Sequence, residues 1–380
     1  MIPLDYAALR LVWWLFLGVL LIGFAVMDGF DLGAALLQPF VARTDTEKRL
    51  LLNAIGPVWE GNQVWFILGG GAAFAAWPPL YAVSFSGFYL AMFLVLAALI
   101  LRPVAINYRS KRDDRFWRSA WDWAFFISGI VPALIFGVAF GNLFLGVPFR
   151  FDDTLRVSYE GGLVGLLNPW ALLCGAVSVA MLAMQGGAWL ALKTEGALAR
   201  RGASAACWAA VSALVLFSAA GLWLGLGIDG YRIQGAIDPS GPSNPLVKTV
   251  LRIPGAWLAN YVRHPWTAAA PFLAYLALIL TLVWQRAGAR RLAFVASSVG
   301  VAGIVATAGL SLFPFLLPSS LDPRSSLTVW DASSSRATLF IMMIATLVFL
   351  PVIVIYTGFV FRVMRGPVTV ESLRSDDHAY

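Results

Sequence analysis

Asp28 and Asp31 lie three residues apart in the first long apolar segment, so a helix would place both carboxyl groups on one face. An acidic residue at the centre of a membrane helix costs about 2.5–3.5 kcal/mol on insertion scales, and it persists where it faces a bundle interior, pairs, or carries protons. Two carboxylates this close repel each other, and burial disfavours their charged forms further. We therefore predict that one of them exchanges a proton near neutral pH, as a proton relay requires. The alternative is a structural role, in which both acids pair locally around Gly29 and Gly33 and fix a kink.

Glu60 is the second acidic position of interest, and Gln63 follows three residues later on the same predicted helix face. Glu60 enters the membrane early in the second predicted span, in the same half of the bilayer as Asp31. A chain of carboxyl groups there would draw protons from the cytoplasm. The alternative is a structural hydrogen-bond network.

Basic residues occur at the inner end of the third predicted span. Arg102, which is followed by Pro103, is expected to pair with an acid or with a lipid phosphate. The basic stretch from Arg109 to Arg118 is predicted to be a solvated loop that contacts membrane lipid.

The two histidines of the chain both lie outside the predicted spans, His264 in an outer loop and His378 in the C-terminal tail. A membrane haem protein usually supplies an axial His, Met or Cys from within the bundle. A methionine in an apolar helix is far more often a core residue, and no Cys/His cluster has metal-site spacing. We predict that the chain binds no metal through its own ligands, so that any redox chemistry belongs to a partner.

The elements that position these residues follow from composition. Of 380 residues, 60% are hydrophobic and only 12% are charged, whereas a soluble domain carries roughly 45–50% and about 25%. Recurrent runs of about 20 apolar residues predict an all-α polytopic membrane protein. The net charge of +7 does not indicate a nucleic-acid partner, because the basic residues lie in short loops between apolar runs.

Nine spans are predicted. The first is expected to be a retained helix, since no basic region precedes it as in a signal peptide. Their approximate bounds are 11–40, 55–77, 79–105, 122–145, 167–192, 204–227, 266–284, 292–317 and 337–361.

Charge asymmetry sets the predicted orientation. With the N-terminus in the periplasm, eighteen Lys and Arg residues fall on the cytoplasmic side and nine on the outer side, as the positive-inside rule requires. Spacing divides the single membrane domain, 1–361, into a four-helix bundle at 11–145, a second at 167–317 and a ninth helix at 337–361. A cytoplasmic tail follows at 362–380.

A series of short motifs along nearly the whole chain resembles subunit II of the cytochrome bd-type quinol oxidases. The individual stretches are weak, but their order and spacing are specific to that family. They lie at 13–14, 23–33, 55–65, 74–78, 85–89, 101–104, 137–142, 146–149, 228–231, 313–315, 318–320 and 326–331.

The resemblance implies one half of a pseudo-symmetric heterodimer, with haems b and d and the quinol site in subunit I. Such a complex oxidises quinol, reduces dioxygen to water and takes its protons from the cytoplasm. Subunit II would support the fold and line part of a proton path, and in some relatives it also holds a structural ubiquinone. Small accessory single-helix subunits accompany some complexes, and the sequence leaves their presence here open.

Two positions depart from the family pattern. The usual acid at position 60 is Asp, and Glu60 keeps its charge with a longer reach. Relatives can carry an acid at position 107, where this chain has Asn107, which cannot titrate but can orient a water. The entrance of a proton path at Asn107 is therefore an open question.

Two other functions are compatible with these residues. Intramembrane acids in paired bundles would suit a proton-coupled secondary transporter. A scaffold subunit of the oxidase with no proton role would explain the same acids as structural.

Overall fold

The computed structural model describes residues 3–375, which form a bundle of long helices with short antiparallel hairpins at one end. The helices are α1 (Tyr6–Val41), α2 (Asp45–Ile55), α3 (Trp59–Ala76), α4 (Pro78–Gly87), α5 (Tyr89–Tyr108), α6 (Arg115–Leu145), α7 (Leu163–Leu166), α8 (Pro169–Lys193), α9 (Gly196–Gly227), α10 (Ala259–Arg263), α11 (Ala269–Arg286), α12 (Arg290–Leu312), α13 (Arg336–Val363) and α14 (Val370–Ser375). The strands pair as β1 (Phe149–Phe151) with β2 (Val157–Tyr159), β3 (Asp229–Gln234) with β4 (Thr249–Pro254), and β5 (Phe315–Leu317) with β6 (Leu327–Thr328).

Eight helices within residues 3–375 are long and apolar enough to cross a membrane, which confirms the polytopic all-α class. They are α1, α5, α6, α8, α9, α11, α12 and α13. The remaining predicted span, 55–77, corresponds to α3, which has 18 residues and begins with the polar stretch Glu60–Gln63. The count of nine spans stays a prediction.

Three predicted spans are interrupted or cut short in the structure, whereas the helices that match 122–145 and 204–227 begin earlier than predicted, at Arg115 and Gly196. The span 55–77 is split, because α2 ends at Ile55 and α3 begins at Trp59, with Pro57 between them unable to donate a backbone hydrogen bond. The span 79–105 is divided at Phe88 into α4 and α5. The span 292–317 ends as a helix at Leu312, and residues 315–317 form the buried strand β5 instead.

Helix α1 lies at the centre of the bundle, where it packs against α3, α6, α8 and α12. The contact with α8 is close, because a Cβ atom on Gly33 would lie only 1.9 Å from the carbonyl oxygen of Leu182. Since α1 and α8 belong to different predicted bundles, the two halves share one core. Their division at 11–145 and 167–317 stays a prediction.

The hairpin end of the bundle gathers loops that are distant in sequence. Arg10, 0% exposed, donates hydrogen bonds to Ser333 Oγ (2.7 Å), to the Pro239 carbonyl and to the Gly241 carbonyl (3.0 Å). The hydroxyl of Tyr231 donates to the Leu145 carbonyl at 3.1 Å, and burial raises the pKa of Tyr231 to about 12. All the loops predicted to be periplasmic meet at this end of the bundle.

The opposite end carries α2, the loop after α5 and α14. Here Lys193 donates to the carbonyls of Met364 and Gly366, which ties the C-terminal segment to α8. The predicted tail 362–380 begins in this region, and residues 376–380, His378 among them, lie outside the described residues. Which end faces the cytoplasm stays a prediction.

Candidate functional site

Asp28 is held in a buried ion pair with Arg102 of α5. The Arg102 Nη1 group donates to Asp28 Oδ1, and its Nη2 group donates to Asp28 Oδ2 at 3.1 Å. The side chains of Arg102 and Asp28 are only 1% and 0% exposed. The acid is therefore paired across the bundle with a neighbouring helix, and Arg102 has the acidic partner that its sequence position suggested.

Asp31, one helical turn further along α1, has a different environment. Asn62 of α3 donates from Nδ2 to Asp31 Oδ2 at 2.8 Å, and both residues are buried. The second carboxyl oxygen, Asp31 Oδ1, is also buried, and it accepts no hydrogen bond from any residue in 3–375. Buried polar atoms without a partner are rare in native structures, so this oxygen is positioned to bind a proton or a water.

Helix α3 presents Glu60 and Asn62 in opposite directions. Glu60 is exposed on the outer surface of the bundle, Gln63 is half-buried, and Asn62 faces Asp31. Two residues correspond to about 200° of rotation on an α-helix, which explains the reversal. In this chain, Glu60 does not meet the α1 acids directly, and Asn62 is the residue of α3 that contacts Asp31.

Asn107 also lies at the surface, where its Nδ2 group donates to the Pro103 carbonyl at 2.8 Å within α5. The structure thus brings together Asp28, Asp31, Arg102 and Asn62. It leaves Glu60 and Asn107 on the bundle surface.

The surface around Glu60 is otherwise apolar. Ile67 and Phe74 follow Glu60 at intervals of seven residues along α3, and both are more than half exposed. This face of α3 therefore combines large exposed apolar side chains with an exposed carboxylate.

A second charged cluster lies around Asp122 at the end of the bundle opposite the hairpins. Asp122 accepts hydrogen bonds from Gln38 (2.7 Å), Lys48 (2.8 Å) and Arg109 (2.6 Å), and Arg109 also reaches Asp45 at 2.9 Å. Gln38 lies two helical turns beyond Asp31 on the same face of α1.

Close packing separates the Asp122 cluster from the buried acids. A Cβ atom on Gly129 of α6 would lie 2.6 Å from the Leu32 carbonyl oxygen, so the two backbones touch between Asp31 and Gln38. The α8 side is closed by the contact at Gly33. The polar side of the α1 acids is thus the side that faces α3 and α5.

An apolar cavity of about 430 Å³ lies beside the same stretch of α1. It is lined by residues from α1, α3, α6, α8, α9, α10, α11 and α12, including Gly29 and Leu32. The lining residues that carry hydroxyl groups are Ser178, Tyr261, Tyr275, Thr307 and Ser311. Its walls fit a hydrophobic molecule with few polar atoms.

Metal-binding side chains show no grouping of three or more within the described part of the chain. His264 is the one histidine among residues 3–375, and it lies in a turn at the hairpin end, before Pro265. The predicted absence of a metal site stays a prediction.

The sequence motif around Glu60 contains Asn62, but the pattern alone did not single it out as a site residue. A carboxyl group in an apolar helix indicates a functional or paired residue, as at Glu60. An uncharged amide such as that of Asn62 does not indicate this as strongly. Helix periodicity could have identified Asn62, because a residue two positions from Glu60 lies on the opposite side of α3.

The chain as a whole is similar to known proteins of one family. The family described as "Cytochrome bd terminal oxidase subunit II" matches residues 9–364. The "Cytochrome bd-I ubiquinol oxidase subunit 2" of Escherichia coli (strain K12) is 48% identical over 376 residues, covering 99% of each chain. The "Probable cytochrome oxidase subunit 2" of Haemophilus influenzae is 45% identical over 99% of each chain. The solved bd oxidase of Geobacillus thermodenitrificans shares the fold, with a TM-score of 0.62 and 14% identity over 96% of this chain and 99% of that one.

Proposed function

Because the chain belongs to the family of cytochrome bd terminal oxidase subunit II, we propose that it is the haem-free subunit of a complex that oxidises quinol and reduces dioxygen to water. It is a multi-pass protein of the inner membrane. The haems b and d and the quinol site belong to its partner, subunit I. The observation that carries the proposal is the buried carboxyl group of Asp31, which has one oxygen free to bind a proton and lies on the polar side of α1.

The proton path begins at Glu60 on the surface of α3 and leads inward to Asp31. Glu60 takes up a proton, Gln63 and Asn62 lie within the next helical turn, and Asp31 receives the proton in the interior. Asp28, held by Arg102, supplies a fixed negative charge nearby. With the N-terminus in the periplasm, Glu60 is in the cytoplasmic half of the membrane, and exposed Asn107 can orient a water near the entrance.

Subunit I covers the face of α3 that carries Glu60. A carboxylate that faces lipid is unfavourable, although Glu60 in the first turn of α3 costs less than the value of about 2.5–3.5 kcal/mol that applies at a helix centre. The apolar side chains of Ile67 and Phe74 on the same face supply the contact area of a helix–helix interface. An interface here would place the entrance of the proton path between the two subunits.

The apolar cavity next to α1 holds a structural ubiquinone. Its lining suits a prenylated ring, and the hydroxyl-bearing residues of the lining that would bond the ring oxygens are Ser178, Tyr261, Tyr275, Thr307 and Ser311. When bound, the quinone supplies a redox-active ring. The cavity residues themselves exclude water and join α1 to the second half of the chain.

Glu60→Ala and Asp31→Ala test the proton path in the complex co-expressed with subunit I. Since positioned proton donors contribute about 100-fold or more to rate, each variant should lower quinol-dependent oxygen consumption to that extent, with haem spectra unchanged. Glu60→Asp retains the carboxylate and should remain active. Asp113→Ala, in a side chain that is 98% exposed, is the control for loss of an unrelated acid.

Two outcomes would contradict parts of this proposal. If assembly, haem content and oxygen consumption all survive both alanine changes, the proton path is wrong. Loss of haem content would instead assign the acids a scaffold role, an alternative that the fully paired Asp28 favours. Haem bound in stoichiometric amount by the isolated chain would refute the division of labour between the subunits.

A further inference from the structure

We propose that Asn62 is a positioning residue that holds Asp31 in both of its protonation states, so that Asp31 rather than Asp28 carries the exchangeable proton. The inference rests on the proposed proton path and deepens it. It assigns different roles to two acids that lie only three residues apart.

The partner of Asp28 can bind only one of its two protonation states. A guanidinium group has donors and no acceptor, and Arg102 uses two of its donors on the Asp28 oxygens. A proton on Asp28 would find no acceptor on Arg102 and would leave a buried cation without its counter-ion, which is strongly destabilising. Proton transfer through Asp28 would thus break the contact that holds Arg102, which argues against such a role for this acid.

The partner of Asp31 can bind both states. An asparagine amide carries a donor and an acceptor of nearly equal size, and Asn62 directs its donor to Asp31 Oδ2 at 2.8 Å. Rotation of the amide by half a turn would present the acceptor, Asn62 Oδ1, to a protonated carboxyl group. Asn62 thus stabilises either form without any movement of the helices.

Two oxygen atoms at this contact lack a hydrogen-bond donor, as expected if Asp31 takes up and releases a proton. Asp31 Oδ1 and Asn62 Oδ1 are both buried, and neither is bonded by a donor from residues 3–375. Both are acceptors, so a single added donor is what the contact lacks. A proton on Asp31, or a water that delivers it, would supply that donor.

The charges around Asp31 are few and fixed. Asp28 lies on the same helix and Arg102 on α5, and their opposite charges are paired with each other. The acid of α3, Glu60, faces the opposite side of its helix. Helices α6, α8, α12 and α13 also pack on α1, the first two through glycine contacts, and the charged side chains that act on Asp31 in the described chain are Asp28 and Arg102.

Infrared difference spectroscopy of the assembled complex over a pH series tests the inference. Asp31→Asn assigns the Asp31 carboxyl band by removing it. Asn62→Leu keeps the shape of the side chain but has no donor or acceptor, and it should move the midpoint of that band by about one pH unit. The pH profile of quinol-dependent oxygen consumption should move with it. Asn62→Gln retains the amide and should move the midpoint less.

Asn142→Leu is the matched control, because Asn142 is a buried asparagine of α6 that bonds the carbonyls of Val138 and Leu166 and no carboxyl group. It should leave the midpoint unchanged. If Asn62→Leu fails to assemble, Asn62→Ala provides the same test with a smaller side chain. A midpoint that stays at the wild-type value in the Asn62 variants would overturn the inference. If Asp31→Asn keeps full oxygen consumption while Asn62→Leu still moves the band, the proton path is wrong but the role of Asn62 stands.

Discussion

Arg102 and Asp28 form an ion pair with two hydrogen bonds, and neither side chain is more than 1% exposed. The residues come from α5 and α1, which are separated by 74 positions in the sequence. A charge pair buried this deeply gains from its mutual attraction only while both members are present. It therefore fixes how α5 sits against α1.

Arg102→Met should destabilise the assembled complex by about 3–5 kcal/mol, because the charge on Asp28 would be left buried without a partner. Thermal inactivation of the purified complex and its yield from membranes measure the effect. The double variant Asp28→Leu with Arg102→Met removes both charges and should recover much of the lost stability. A single variant as stable as wild type would show that the pair does not hold α5 in place.

Gly33→Ala should prevent the close approach of α1 and α8, since its Cβ would lie 1.9 Å from the Leu182 carbonyl oxygen. Overpacking of this kind costs at least about 1–3 kcal/mol, and we expect little assembled complex in membranes. Gly18→Ala is the control on the same helix, because a Cβ at Gly18 meets no atom within 4 Å. Equal yields of the two variants would argue against the packing seen here.

Asp122→Ala should loosen the end of the bundle opposite the hairpins by about 3 kcal/mol, because Lys48 and Arg109 would lose their shared acceptor. The side chain of Arg109 is only 3% exposed, so water replaces that acceptor poorly. Increased proteolysis between α5 and α6 in inside-out vesicles would report the change. Asp113→Ala, which removes a 98% exposed acid from the same region, should be cleaved at the wild-type rate.

The buried hydroxyl of Tyr231 should make the folded protein less stable at alkaline pH. Burial raises the pKa of Tyr231 to about 12 from an ordinary value of 10.0, so the folded protein retains this proton over a range in which the unfolded chain releases it. The contribution is fully present below pH 10.0 and is lost as the pH rises through about 12. The difference amounts to about 2–3 kcal/mol.

Melting curves of the solubilised complex from about pH 8 to pH 12 test this expectation. Tyr231→Phe cannot titrate, so its melting temperature should fall less than that of wild type over the alkaline part of the series. The lost hydrogen bond to Leu145 adds a constant offset that is already visible at neutral pH. Parallel curves for the two proteins would mean that Tyr231 does not control the alkaline transition.

Helix positions were largely predictable because hydropathy reports directly on lipid contact. Span prediction from hydropathy fails where apolar residues are covered by other parts of the protein and not by lipid. Residues 315–317 read as the end of a span, yet they form strand β5 inside the hairpin end, with each of its residues buried. Composition alone cannot distinguish a side chain covered by lipid from one covered by a loop.

The site was predictable only in part, for reasons of helix rotation. Asp28 and Asp31 were recognisable because a carboxyl group in an apolar helix is costly wherever it points. The sequence also favoured an acidic partner for Arg102, but the choice of Asp28 depends on how α5 is turned against α1. The rotation of α3 about its axis is set by the break at Pro57. That rotation turns Asn62 toward Asp31 and Glu60 toward the surface, which the sequence pattern did not indicate.

The hydrogen bonds of Arg10 constrain the order in which the chain can fold during its synthesis. The partners of Arg10 include Ser333, which follows it by 323 residues, and carbonyl groups near position 240. Of the groups around Arg10, the ring of Tyr6 lies in the same helix, 3.7 Å from the guanidinium, whereas these hydrogen-bond acceptors are all distant in sequence. The bond between Arg10 and Ser333 can therefore form only after nearly nine tenths of the polypeptide has been synthesised, and a chain stalled earlier would lack this link between its first helix and the hairpin end.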